Sequence, residues 1–334
     1  MRRAARTRQE PRERTAPRKD AARCARAVGA ALVSGLAVLG LAGFFAAKAH
    51  SAGASGGGVL QVVAAENVWG SIAAQLGGSH VHVTSIVSDP AVDPRRYRPT
   101  AADERALAGA DLVIVNQVGY DAWADRLLAR TPQQGRIELG VGTLVGVAPG
   151  NNPRRWYDPC DVGQVIGAIT ADYQRLDPAG SGYFGRLRQS YETAGLAGYH
   201  KLIGQIRARY AGTPVGASES IADPLAQALD LDLVTPGSFL NAVTAGDTPP
   251  AAERTLTERE ITAHRIRVYI VNSQHTTPFV AQQAAAAASA GVPVASITGT
   301  LDPPTATFQA WQVAQLQKLE AALAEAADGS GTAA

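Results

Sequence analysis

The sequence predicts an α/β protein built from two βα lobes, each around a parallel sheet, joined by a long helix. Strand-like apolar runs alternate with segments of helical spacing from Val59 onward, the pattern of parallel strands covered by crossover helices. After Asp161 the strand signal stops for roughly fifty residues of helical periodicity, then restarts at Pro214. Two proline-rich loops, Asp89–Thr100 and Pro149–Pro159, lie between strands and helices, the first at the strand edge where open α/β sheets bind ligands. Each loop carries Pro-Arg-Arg followed by an aromatic residue.

Taken in order, Val59–Ala65 is a buried-strand run, and Asn67–Leu76 has helical spacing ended by Gly77-Gly78. Val81–Val87 alternates as a strand. The three prolines of Asp89–Thr100 forbid helix or central strand and predict a stiff loop. Ala101–Leu107 reads as helix, Asp111–Asn116 as strand, Tyr120–Ala129 as helix and Ile137–Leu139 as a short strand. Asp161–Arg175 and Gly182–Tyr210 are helical, separated by Pro178. Strand–helix alternation then resumes with Pro214–Ala217, Asp223–Leu229, Leu231–Val234, Glu253–His264, Val268–Asn272, Pro278–Ala290 and Val292–Ile297. A closing helix runs from Thr305 to Ala326. The domain reading is a leader and linker over 1–58, a first lobe over 59–160, a helical connection over 161–211, a second lobe over 212–326 and a disordered tail over 327–334.

The 334 residues, 46% hydrophobic and 18% charged, are ample for a buried core. The net charge of +2 hides an asymmetry. Residues 1–26 hold ten Lys/Arg against three Asp/Glu, and the chain after residue 49 holds 20 against 26. The globular part is therefore mildly acidic, which leaves no electrostatic footprint for nucleic acid. The basic start is followed by an uncharged Ala27–Ala47 run, a small-x-small Ala47-Lys48-Ala49 and a Ser/Gly stretch, the plan of an export signal. The run is long for a signal peptide, so an uncleaved N-terminal anchor is the competing expectation. Both place the globular part in the periplasm, or on the outer face of the cytoplasmic membrane or cell wall. The two cysteines, Cys24 and Cys160, make no disulfide framework and no Cys-rich metal site.

Several motifs carry a resemblance: Glu66-Asn-Val-Trp-Gly, Ile86-Val-Ser-Asp-Pro, Asp93-Pro and Tyr97-x-Pro-Thr in the first lobe. Ala110-Asp-Leu-Val-Ile-Val-Asn, Gly119-Tyr-Asp-x-Trp, Trp156-Tyr-Asp-Pro, Val271-Asn-Ser-Gln and Thr300-Leu-x-Pro-Pro follow in order. From Val62 to Leu323 the chain resembles the zinc/manganese-binding solute-binding proteins of bacterial ABC transporters. The resemblance implies two lobes joined by one rigid helix, a metal gripped in the cleft between them, small movements on binding, and an ABC permease as partner. It also implies a monomer, with zinc or manganese as the transported ligand.

By the same resemblance four side chains hold the metal, and here they depart from the pattern. Arg95 and Arg154 stand where the family has histidines, Glu219 keeps a carboxylate, and Gly299 falls at the acidic fourth position, with Asp302 three residues on. Zinc and manganese need imidazole or carboxylate donors, whereas arginine has no lone pair and carries a fixed positive charge. Three readings of the arginines follow: solvated charges in a decayed site, an internal salt bridge to Glu219 and nearby Asp residues that closes an empty cleft, or recognition of an anion. The candidate cleft residues are Arg95, Arg96, Tyr97, Arg154, Arg155, Trp156 and Gly299, with Tyr97, Trp156 and Tyr157 alternatively supports for the loops. The candidate metal donors are Glu219, His275, which follows a strand end, and Asp302. His80 and His82, two apart at the start of a strand, form a further possible pair. The sequence shows no Gly-x-Ser-x-Gly elbow, Walker loop or His-Glu-x-x-His helix, so no enzyme is expected. Two functions stand: the extracytoplasmic substrate-binding component of a zinc/manganese-type ABC transporter, or a non-metal homologue acting as permease partner, regulator or anion sensor.

Overall fold

The computed structural model describes residues 58–331, so the leader expected at the N-terminus lies outside the described residues. Strand β1, Leu60–Glu66, is buried without interruption from Val62 because it is hydrogen-bonded on both sides. Strand β2, Val81–Val87, alternates between exposed and half-buried positions because it is the edge strand. Strands β3, Leu112–Val115, and β4, Ile137–Gly140, complete a parallel sheet of order β2-β1-β3-β4.

Helices α1, Asn67–Gly77, α2, Ala101–Ala108, and α3, Ala122–Arg130, are the expected crossovers. Thr100 and Asp103 cap α2 reciprocally. Helix α4, Val141–Val145, went unread in the sequence because one and a half turns show no periodicity.

The helical connection is α5, Pro159–Leu176, then α6, Ser181–Ser190, a π-turn over Tyr191–Gly195, and α7, Ala197–Tyr210. Asp158 caps α5 by accepting from the backbone N–H groups of Cys160 and Asp161.

The second sheet repeats the first in topology, with order β6-β5-β7-β8. Its strands are β5, Pro214–Ala217, β6, Asp232–Leu233, β7, Val268–Asn272, and β8, Val294–Ile297. Around it lie α8, Ala222–Ala228, α9, Gly237–Ala245, α10, Ala251–Thr262, α11, Pro278–Ser289, and α12, Phe308–Gly331. Helix α9 follows Thr235-Pro236, where the sequence looks like loop and predicts no helix. The sequence also predicts that the last helix ends at 326, with a disordered tail from 327. Helix α12 instead continues to Gly331, carried by the helix-favouring run Ala321–Ala327. Among the described residues no helix is long and apolar enough to cross a membrane.

One hydrophobic cluster runs from Trp69 and Leu112 in the first lobe, through Val165 and Ile169 of α5, to Val268 and Leu319 in the second. Aromatic contacts thread it: Trp69 to Trp156 at 6.1 Å, Trp156 to Tyr157 at 6.5 Å and Tyr157 to Trp311 at 5.9 Å between ring centroids. The Tyr157 hydroxyl donates to the Thr298 carbonyl at 2.7 Å, with Gln315 Oε1 2.9 Å away. Both sheets thus turn the C-terminal ends of their strands toward a cleft whose floor is shared core.

Candidate functional site

In the first proline-rich loop, Asp93 caps a short 3₁₀ turn over Pro94–Arg96 by accepting from the Arg95 backbone N–H at 3.0 Å. The Arg95 side chain folds back on the same carboxylate, with Nε 3.0 Å from Oδ1 and NH2 3.1 Å from Oδ2. Its remaining nitrogen, NH1, donates to the Thr244 carbonyl of the second lobe. Burial alone would raise the Asp93 carboxyl, but the hydrogen bonds and charge of Arg95, with Arg154 farther off, hold it below the usual range. Neighbouring Arg96 stays 76% exposed. Tyr97 turns away, its ring 5.0 Å from Trp123 and its hydroxyl donating to Asp103 at 2.8 Å.

The second loop is clamped from both lobes. Asn116 Nδ2 donates to the Pro153 carbonyl at 3.0 Å, and Asn152 Nδ2 donates to the Ser220 carbonyl at 2.5 Å. This turns Arg154 inward until only 3% of it is exposed. Its guanidinium carbon lies 5.2 Å from the centre of the Tyr120 ring. Arg155 points elsewhere and pairs with Asp158 and Asp161. Trp156 is fully buried in the aromatic core and does not border the cleft.

Tyr120 is delivered by a strained turn after β3. Gln117 and Val118 both take positive φ, 62° and 56°, conformations that a β-branched residue strongly disfavours. The buried Asp121 carboxylate holds the turn by accepting from the Asn116 and Gln117 backbone N–H groups at 2.6 and 2.7 Å.

From the second lobe, Glu219 follows β5 and is 1% exposed. Its Oε1 accepts from Asn272 Nδ2 at 2.6 Å, and its Oε2 accepts from His275 Nδ1 at 2.7 Å. Arg154 NH2 stands 3.8 Å from Oε1 across the cleft. Burial pushes the Glu219 carboxyl up. The His275 hydrogen bond, the Arg154 charge and the Asn272 hydrogen bond together outweigh it and leave Glu219 ionised below the usual range. Gln274 ties the two outer loops together, its Oε1 accepting from the Gly299 and Thr300 N–H groups at 2.7 and 3.1 Å.

The structure thus brings Arg95, Arg154, Gly299 and His275 to one cavity of about 70 Å³, with Glu219 directly behind His275 and Asn272. It separates Arg96, Tyr97, Arg155 and Trp156 from that cavity, so those four expected cleft residues act as solvated, ion-paired or packing groups. Asp302 is exposed and does not border the cavity, so it contributes no donor there. His80 belongs to a 3₁₀ turn rather than the strand and pairs with Asp177 at 3.0 Å, so it makes no pair with His82. Asp93, Tyr120, Asn272 and Gln274 were missed as site residues, although each lies in or beside a motif that carried the resemblance. Among the described residues no group of three or more His, Cys, Asp or Glu side chains is placed to hold a metal ion.

A family model described as the periplasmic component A of the zinc-uptake complex matches residues 62–322. The manganese-binding lipoprotein MntA of Halalkalibacterium halodurans is 28% identical over 127 residues, 36% of this chain and 41% of that protein. Its namesake from Bacillus subtilis is 33% identical over 84 residues, 25% of this chain and 27% of that protein. These matches span less than half the length of either relative. Among solved structures, a manganese-bound periplasmic metal-binding protein from Candidatus Liberibacter asiaticus superposes with a TM-score of 0.66 at 17% identity, covering 78% of this chain and 98% of its own. The solute-binding protein FpvC of Pseudomonas aeruginosa, in complex with manganese, gives 0.66 at 17% identity over 80% and 99% of the two chains. These two likenesses establish the shared two-lobed fold.

Proposed function

Because the chain belongs to the zinc-uptake complex component A family, we propose that it is the extracytoplasmic solute-binding component of an ABC uptake system in which arginine has taken the place of the metal ion. The family and the basic-then-apolar leader support a position outside the cytoplasmic membrane, next to a permease. The observation that carries the reading is Arg154 NH2 standing 3.8 Å from Glu219 Oε1 with both residues buried. A guanidinium there supplies the positive charge that a divalent cation would otherwise bring to Glu219. It donates no lone pair, and a second cation beside it would be repelled. The cavity then lacks side-chain donors at Arg95, Arg154 and Gly299, three of the four ligand positions.

A second reading is favoured by Glu219 and His275, which stand 2.7 Å apart and could turn outward as two metal donors. Dialysis of the purified protein against zinc or manganese, followed by elemental analysis, separates the two. The arginine reading expects no retained metal after a wash in weak chelator. One equivalent retained would establish metal delivery through a rebuilt site.

A further inference from the structure

The Arg154 side chain is buried, yet its Nε and NH1 have no hydrogen-bond partner. NH2 reaches Glu219 only at 3.8 Å, beyond hydrogen-bond range. Each Glu219 oxygen accepts one hydrogen bond, from Asn272 and from His275, and none from Arg154. Arg95 does not share the deficit, because Asp93 and the Thr244 carbonyl take its donors. The Tyr120 ring faces the Arg154 guanidinium but offers no lone pair to accept from N–H. A buried guanidinium with unmade hydrogen bonds is costly, and the acceptor that suits it is an oxyanion.

We propose that the cavity bordered by Arg154, Tyr120, His275 and Gly299 is a binding site for a small oxyanion of the carboxylate type, held by Arg154. The cavity of about 70 Å³ is several times the roughly 10–15 Å³ that one water needs on the same measure, so it has room for a formate, acetate or bicarbonate. At Gly299 an added Cβ would sit 3.6 Å from the Tyr120 hydroxyl and 3.7 Å from Gln274 Oε1, so one methyl group fits there and narrows the space. The charges around the site are Arg154, Arg95, Asp93 and Glu219. These charges balance, but Asp93 takes donors of Arg95, whereas Arg154 meets Glu219 only at 3.8 Å and keeps Nε and NH1 unfilled.

This inference rests on the reading that the cleft holds no divalent metal. It is tested by titrating formate, acetate, bicarbonate, phosphate and citrate into the full-length chain while following intrinsic tryptophan fluorescence and melting temperature. Saturable one-to-one binding of formate, acetate or bicarbonate below about 10 mM, tighter than that of bulkier citrate, is expected. Preference among the three identifies the source as a short carboxylate or bicarbonate, and tighter binding of phosphate than of any of them would overturn the carboxylate assignment. Arg154→Met is expected to weaken binding at least about tenfold. Gly299→Ala, which the space tolerates, serves as a second variant if Arg154→Met fails to fold, and should weaken acetate at least about threefold. Exposed Arg96→Gln should leave binding unchanged. No saturation by any small oxyanion, or wild-type affinity in both cavity variants, overturns the inference. Tight zinc binding by the wild-type chain would instead overturn the reading beneath it, so the two failures are distinguishable.

Discussion

Arg154 of the first lobe and Glu219 of the second face each other at 3.8 Å, 3% and 1% exposed, in the position where the family's resemblance puts a metal and its ligands. A buried pair of this kind is not itself a large source of stability, because both charges lose water. Removing one partner is the costly event. Arg154→Met or Glu219→Gln alone should therefore destabilise the protein by about 3 kcal/mol, while Arg154→Met with Glu219→Gln should cost far less than the two single changes together. Urea unfolding of the four proteins in the cycle measures this, and strict additivity would show that the pair does not interact.

The Tyr157 hydroxyl joins the second proline-rich loop to the second lobe through Thr298 and Gln315. Tyr157→Phe removes a buried hydrogen bond without opening a cavity, so a loss of about 1–2 kcal/mol is expected. Chemical denaturation reads it directly, and an unchanged midpoint would show that the bond contributes nothing net.

Glu66 and Asp121 give the first lobe an unusual pH response. Burial pushes the Glu66 carboxyl well above the carboxylate range, and the Asp121 charge pushes it further. Burial raises Asp121 to about 7 despite the N–H groups of Asn116 and Gln117. Groups whose folded pKa is raised contribute stability at low pH and lose it as pH rises through the folded value. Wild-type stability should thus decline between about pH 4 and 7 as Asp121 titrates, and the raised Glu66 carboxyl adds to that decline. Glu66→Gln should flatten that decline and raise stability at the alkaline end. Asp93 and Glu219, held low, act in the opposite sense and only toward acid, below about pH 4. Melting curves across the range decide the matter: parallel pH profiles for the two proteins would contradict it.

The fold was largely legible because its strands and helices carry clean periods, with β1 and β3 as buried runs and β2 as an alternating edge. The elements that escaped were short, such as α4, or masked by turn-forming residues, as α9 was by Thr235-Pro236. The site was legible by position and illegible by environment. Arg95-Arg96-Tyr97 and Arg154-Arg155-Trp156 look alike, yet Arg154 is buried and Arg96 is open to solvent. What separates them is the pair of asparagine clamps from Asn116 and Asn152, contacts made 37 and 68 residues along the chain. Local pattern carries no trace of such partners. The pairing of His275 with Glu219, 56 residues apart, was expected only as a ligand role and emerges as a hydrogen bond that orients the carboxylate.

If a guanidinium stands in for the metal, the wild-type cleft has no affinity for a divalent cation until donors are restored. Isothermal titration of zinc and then manganese into the metal-stripped wild-type chain and into the Arg95→His, Arg154→His, Gly299→Asp triple variant tests it most directly. At Gly299 an added Cβ meets only ordinary contacts. No tight binding by the wild-type protein and one-to-one binding at submicromolar zinc by the variant are expected. Submicromolar zinc or manganese binding by the wild-type chain would contradict it.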